Sequence, residues 1–428
     1  MNFSLTNVPD FLPLAEIENL QVALLKKQLR YIQANSRFYK GKFSIGEIEG
    51  ISTVSDLSSF IRTSKKDLAE FNPDFLSISQ REVVEYVTTS GTTGKPVTIA
   101  LSKANLKRLA YNEARSLSIA GFTADDIVQI TTTLDKGFMA GMAYYMGLTE
   151  LGAAVLRAGQ GSPEFHCEMI KQIQPTALVA VPSFLQKLGL SASSFTHQIK
   201  KALCIGEPLR NKDFSDNQLS INIAKCWDLD LRSTYASTEM ATAFTECSEK
   251  KGGHLLPELI ILEILDEHGN EVADGELGEV TVTPLGVEAM PLLRFRTGDL
   301  ARKYSSPCAC GRNTPRLGPI EGRLAQMIKL KGTAIFPGQI EDVLHSFPTA
   351  NPYLIRLESD DNGMDAVTIE LPETCTHQDM DTLLVNLQAR LRVKPTLKRS
   401  SISEIQRILF RGESRKPKKI IDTRNAEN

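Results

Sequence analysis

The sequence predicts an α/β protein: a large N-terminal domain of helix-covered, mostly parallel sheets with a β-rich subdomain, then a small α+β C-terminal domain. Three observations predict it. From about Asp125 to Cys226, β-branched runs ("DIVQITTT", "GAAVLRAG", "TALVAVP", "KALCIGEP") alternate with helical ones ("HCEMIKQIQ", "SFLQKLGL"). That is the rhythm of parallel strands joined by crossover helices. The stretch "ELIILEILDEHGNEVADGELGEVTVTPL" then changes to alternating strands broken at Gly269-Asn270 and Gly275, as antiparallel hairpins are. After "RLGPIEGRLAQMIKLKG" a smaller unit is expected, with a helix over 338–346, strands near 352–358 and 364–371, and a helix over 378–392.

In chain order, a helical entry is expected over about 14–70, where Leu20, Leu24, Leu25, Leu29 and Ile32 fall at helical spacing. "REVVEY" and "PVTIAL" read as strands around a loop in which Thr89, Ser90, Thr92 and Thr93 surround Gly91 and Gly94, ahead of Lys95. Glycines let the backbone bring N–H groups close to an anion, and the hydroxyls and ammonium add donors. The Walker spacing does not fit, since only two residues separate the glycines and Pro96 follows the lysine. A polar turn between two strands is the plainer alternative. Strand-to-helix turns are expected at Pro182 and Pro208. A boundary at Gly322-Arg323 gives domains 1–322 and 323–428, and the basic end "RGESRKPKKIIDTR" reads by composition as a solvated tail.

With 49 basic and 51 acidic side chains among 428 residues, the formal charge of -2 provides no general attraction for nucleic acid or anionic membranes. The N-terminus lacks a basic segment joined to an apolar one, and no run approaches the roughly 20 apolar residues of a membrane span. A cytoplasmic protein with neither nucleic-acid nor membrane partners is expected. Seven cysteines in a long chain argue against a disulfide framework. Cys247, His254, Cys308 and Cys310 have the chemistry of a tetrahedral zinc site, although Cys-Ala-Cys is not the usual two-residue knuckle and unrelated cysteines remain the alternative. Cys167, Cys204, Cys226 and Cys375 read as ordinary buried or half-buried thiols.

"STYASTEM" at 233–240 and "LLRFRTGDLA" at 292–301 join the Thr/Ser/Gly loop and "EGRLAQMIKLKG" in an order that resembles adenylate-forming enzymes. The text is most similar to the phenylacetate-CoA ligase family, through "GKF", "RTSKKDL", "VPSF", "IGEPLR", "PCACGR" and "IFPGQIE". The resemblance implies an ATP-dependent ligase that couples a small, aromatic carboxylic acid to AMP and then to the thiol of coenzyme A. Delivery to a carrier protein, or a nucleotide-binding regulatory protein impaired in catalysis, are its alternatives, and a homodimer is allowed.

It assigns the β- and γ-phosphates to Ser90, Gly91, Thr92, Thr93, Gly94 and Lys95, and Mg²⁺ to Glu239. Adenine falls to Tyr235 and the backbone of Glu207 and Pro208, with Ala236, Ser237 and Thr238 completing the nucleotide site. The ribose falls to Asp299 and Arg323, and the catalytic cation to Lys416. Phe138, Met139, Ala140 and Gly141 are expected to line the acyl pocket, together with Tyr144 and Tyr145. Zinc would be structural. Taken singly, each acid is more simply a solvated surface group. One departure stands out, because Ala325 and Gln326 occupy the place of the family's acidic hinge pair.

Overall fold

Strands Ile127–Ile130, Ala154–Arg157, Ala177–Ala180, Lys201–Ile205 and Asp230–Ser237 pair in parallel. Alternation along one strand explains the covering layers. Val128 and Ile130 pack with Leu117, Phe122, Tyr144 and Leu148 of one layer, whereas Gln129 between them reaches His166 on helix Pro163–Ile173. Helices therefore cover both faces, as a parallel sheet requires.

In the computed structural model, residues 5–6, 8–89, 97–192, 198–330, 333–359, 365–391, 394–410 and 418–424 are described. The chain divides into two units, one of residues 1–216, 220–297 and 301–320, the other of 217–219, 298–300 and 321–428. The largest sheet runs in the order 260–265, 277–284, 295–304, 316–317, 253–254, 242–246, 230–237, 201–205, 177–180, 127–130, 154–157. The hairpins anticipated after residue 258 thus continue the parallel sheet rather than forming a second one.

The entry helix Leu14–Asn35 buries Ile17, Leu25, Leu29 and Ile32. Helix Met139–Leu151 lies against helix Lys103–Ile119 at a contact only glycine permits, since a Cβ on Gly147 would sit 2.3 Å from the Cβ of Glu113. The expected turn into a helix at Pro208 does not occur. Arg210 and Asp216 instead form an isolated bridge and an ion pair, Arg210 also bonds the carbonyl of Leu231, and the next helix begins at Gln218. Tertiary partners of one arginine override the local signal there.

The second unit holds a four-stranded sheet in the order 396–400, 365–372, 354–359, 420–422. Its central pair is antiparallel and its outer pairs are parallel. Helices Pro337–Leu344 and His377–Leu391 share a core with it through Ile340, Leu344, Ile355, Ile369, Leu383 and Leu387.

Candidate active site

The loop from Ser90 to Lys95 and the lysine at 416 lie outside the described residues. The base of the loop is fixed. Strands Val83–Thr88 and Thr98–Ser102 pair with Thr88 opposite Thr98, Thr89 N–H donates to the Val97 carbonyl at 2.9 Å, and Val97 N–H donates to Thr89 Oγ1 at 3.0 Å. Thr88 N–H also donates to the Gly137 carbonyl at 2.8 Å. That bond links the loop to the segment that starts the expected acyl pocket.

In that segment Lys136 and Gly137 adopt left-handed φ values of 58° and 63° before helix Met139–Leu151 begins. A Cβ on Gly141 would sit 2.1 Å from the Thr133 carbonyl, so glycine lets the helix start close against the end of the Ile127–Ile130 strand. Phe138, Ala140 and Tyr145 are half-buried. Met139 and Tyr144 are different, being committed to two separate hydrophobic cores.

Tyr235 and Phe244 face each other across paired strands, with rings 6.2 Å apart and inclined by 34°. Between Ser237 and Thr242 the chain reverses through Thr238, Glu239, Met240 and Ala241. Ser237 closes this turn, its hydroxyl accepting from Met240 N–H at 3.3 Å and its carbonyl from Ala241 N–H at 3.2 Å. Met240 is fully buried and anchors the turn, whereas Glu239 beside it is only half-buried. The Glu207 carboxylate accepts from Ser183 N–H at 2.8 Å and its hydroxyl at 2.9 Å, at the first turn of helix Pro182–Ala192. A helix N-terminus favours a carboxylate. With its side chain so occupied, Glu207 has its backbone to offer a ligand.

Within the second unit Asp299 is 6% exposed and its Oδ1 accepts from Arg323 Nε at 2.9 Å, across a register that sets the two residues opposite each other. The short helical turn Leu324–Gln326 follows directly, with Leu324 and Ala325 exposed.

The four predicted metal ligands converge. The ligand atoms of Cys247, His254, Cys308 and Cys310 lie within 4.8 Å of one another. Tetrahedral zinc, with Zn–S near 2.3 Å and Zn–N near 2.0–2.1 Å, spaces its ligand atoms about 3.5 to 3.8 Å apart. Cys247 Sγ to Cys308 Sγ is 3.7 Å, and Cys310 Sγ to His254 Nε2 is 3.5 Å. The set fits that ion.

Burial, with Arg312 and Arg316, pulls His254 down to about 4, so its imidazole is neutral, the form that ligates, and its Nδ1 lies 3.1 Å from the Thr314 hydroxyl. Burial pushes Cys247 up to about 12. For Cys310 burial also raises the value, but hydrogen bonds from the Arg312 backbone and guanidinium outweigh it and leave the thiol below its usual range. Arg312 is itself held by Asp10, at 3.0 Å.

Helix Lys103–Ile119 carries a structural role that the sequence does not reveal. Arg108, Asn112 and Ser116 recur every fourth residue, and all three are buried and bond to the strand Thr242–Glu246 or the residue before it.

The fold and these motifs define a class. The chain belongs to the AMP-binding enzyme family: residues 42–288 match the AMP-binding enzymes and residues 332–424 the AMP-binding enzyme C-terminal domain. Within it the chain is phenylacetate-CoA ligase-like. It is 29% identical over 366 residues to the phenylacetate-coenzyme A ligase of Thermus thermophilus, covering 80% of this chain and 78% of the relative. Against that of Escherichia coli it is 28% identical over 403 residues, 88% of each. The fold is also that of 2-hydroxyisobutyryl-CoA ligase crystallised in the postadenylation state, with a TM-score of 0.82 at 20% identity, covering 96% of this chain and 91% of that one.

Proposed function

We propose that the protein is an ATP-dependent carboxylate-CoA ligase acting on an aromatic acid such as phenylacetate. The observation that carries this reading is the likeness to phenylacetate-CoA ligases over 80% to 88% of the chain. In the first half-reaction a carboxylate oxygen attacks the α-phosphorus of ATP, the bond to the β-phosphate breaks, and pyrophosphate leaves. In the second, the thiolate of coenzyme A attacks the acyl carbon, the bond to AMP breaks, and the thiol proton passes to solvent.

The residues divide this work by their chemistry. The loop Ser90–Lys95 would take the β- and γ-phosphates, where charge-assisted hydrogen bonds contribute about 1.5–3 kcal/mol each. Glu239, on its closed turn, would hold Mg²⁺, a hard cation that prefers carboxylate and phosphate oxygens. Tyr235 offers a ring for adenine, beside the backbone of Glu207 and Pro208 and the strand end through Ala236, Ser237 and Thr238. Asp299 would accept from the ribose hydroxyls, with Arg323 already oriented on its carboxylate. Lys416 would offset the charge that develops between carboxylate and α-phosphate. Phe138, Met139, Ala140 and Gly141 begin the helix that would face the acyl group.

Cys247, His254, Cys308 and Cys310 would hold one structural zinc, since four protein ligands leave no open position for catalysis. All seven cysteines are free thiols, as suits a cytoplasmic enzyme that uses ATP and coenzyme A. No helix among the described residues is long and apolar enough to cross a membrane.

The test is exchange of labelled pyrophosphate into ATP with phenylacetate, benzoate and 4-hydroxybenzoate, followed by thioester formation with coenzyme A. Exchange that depends on an aromatic acid, together with the CoA thioester, is expected. A folded protein that supports no exchange with any of them would refute the aromatic-acid reading.

A further inference from the structure

The turn that carries Glu239 is not self-sufficient. Ala241 closes it at a φ of 45°, a left-handed conformation that a residue with a Cβ rarely adopts. Something else must hold it. The Ala241 carbonyl accepts from Arg108 Nη1 at 2.6 Å, and Arg108 Nη2 donates to the neighbouring Thr242 hydroxyl at 2.9 Å. The same guanidinium donates to the carbonyls of Leu259 at 2.7 Å and Leu285 at 2.7 Å, on segments that are themselves joined by a 2.7 Å backbone bond.

Arg108 is 1% exposed, and its bonds all go to neutral oxygens. Burial of that charge pulls its pKa down to about 9. A buried cation of this kind is costly unless every donor is used. Its four acceptors take four of the five N–H groups of the guanidinium, whereas a lysine ammonium has three donors on one atom and cannot serve all four.

The helix below keeps the arginine in register. Asn112, one turn on, accepts from Ala243 N–H at 3.1 Å, and the Ser116 hydroxyl lies 2.5 Å from that of Thr245. Four residues of helix advance about 6 Å and two residues of strand about 6.6 Å, so a polar residue every fourth position can meet every second residue of the strand. Asn112 and Ser116 fix the strand beyond the turn. Of the three, only Arg108 bonds to the turn.

We infer that Arg108 is a positioning residue for adenylation: by holding the Ala241 carbonyl and the Thr242 hydroxyl it fixes the Ser237–Thr242 turn, and with it the place of the Glu239 carboxylate for the magnesium of MgATP. The inference rests on the magnesium role proposed above for Glu239.

The experiment needs no acid substrate. Dissociation constants for ATP are measured by titration calorimetry on the full chain, in EDTA and in excess Mg²⁺, and the EDTA value divided by the Mg²⁺ value reports the contribution of the metal. Arg108→Lys is expected to reduce that ratio about tenfold while ATP binding in EDTA stays within twofold. Thr242→Val, a milder change that removes one of the four bonds, should reduce it about threefold, which keeps the test open should Arg108→Lys fold poorly. Asn112→Ala should lower the melting temperature but leave the ratio within twofold, because a purely structural loss changes the active fraction and not the metal dependence.

Glu239→Gln separates the two ideas. If it reduces the ratio and neither Arg108→Lys nor Thr242→Val does, Arg108 is not a positioning residue and the role of Glu239 stands. If Glu239→Gln leaves the ratio unchanged, the magnesium reading fails and this inference fails with it.

Discussion

At the scale of single residues, Glu113 shows how far burial can separate a side chain from its usual behaviour. It lies in "YNEARSL" and is 4% exposed, between helices Lys103–Ile119 and Met139–Leu151. Oε1 accepts from Asn112 Nδ2 at 3.0 Å, and Oε2 has no hydrogen-bond partner among the described residues. Burial pushes its pKa up to about 8 from 4.5. Below 4.5 both folded and unfolded chains carry the proton, so pH is without effect through this group. As pH rises to about 8 the unfolded chain releases its proton first, and stability falls by on the order of 5 kcal/mol across the window. Glu113→Gln should therefore lose far less stability than the natural chain between pH 5 and pH 8, as measured by urea denaturation. Identical losses in the two proteins would show that Glu113 ionises freely in the fold.

At the scale of elements, Cys247, His254, Cys308 and Cys310 come together from three separate stretches of chain. Cys247 follows the strand Thr242–Glu246, His254 lies on Gly253–His254, and Cys308 and Cys310 lie in the connection between Phe295–Tyr304 and Arg316–Leu317. The four types were legible as a ligand set, but convergence depended on the antiparallel pairing of these strands. Bound metal would couple that pairing to folding. Untagged protein should contain one zinc per chain, and Cys308→Ser should lose the metal and melt several degrees lower. Purified protein without zinc, or a Cys308→Ser variant that retains it with unchanged melting, would dismiss the site. Pro208 went the other way, since a local turn signal was overridden by Arg210 and its partners on the bridge and on the Asp230–Ser237 strand.

At the scale of the molecule, two compact units separate near residue 321. The family resemblance implies that the C-terminal unit brings its lysine to the α-phosphate for adenylation and withdraws it for thioester formation. Lys416→Ala should then slow acid-dependent pyrophosphate exchange by about 10² to 10³-fold, the scale of losing one preorganised charge stabiliser, while thioester formation from supplied acyl-adenylate is largely spared. Ala325→Pro, in the exposed turn Leu324–Gln326, should show the opposite bias, because it restricts backbone torsions on which a hinge depends. Equal damage to both half-reactions by Lys416→Ala would assign the catalytic role to Lys418 or Lys419, or to neither.

The sequence by itself determined the α/β class, the change from parallel strands to antiparallel hairpins, and the text of the motifs, because periodicity and turn chemistry act over a few residues and motif text is read in order. It also named Cys247, His254, Cys308 and Cys310. Only the tertiary structure decided that the later hairpins extend the parallel sheet, that Met139 and Tyr144 serve cores, and that Glu113 is buried. It alone decided that Arg108 holds a turn 133 residues away in sequence. Those facts depend on which surfaces meet, and a charged residue at helical spacing looks the same in sequence whether water or a strand lies opposite it.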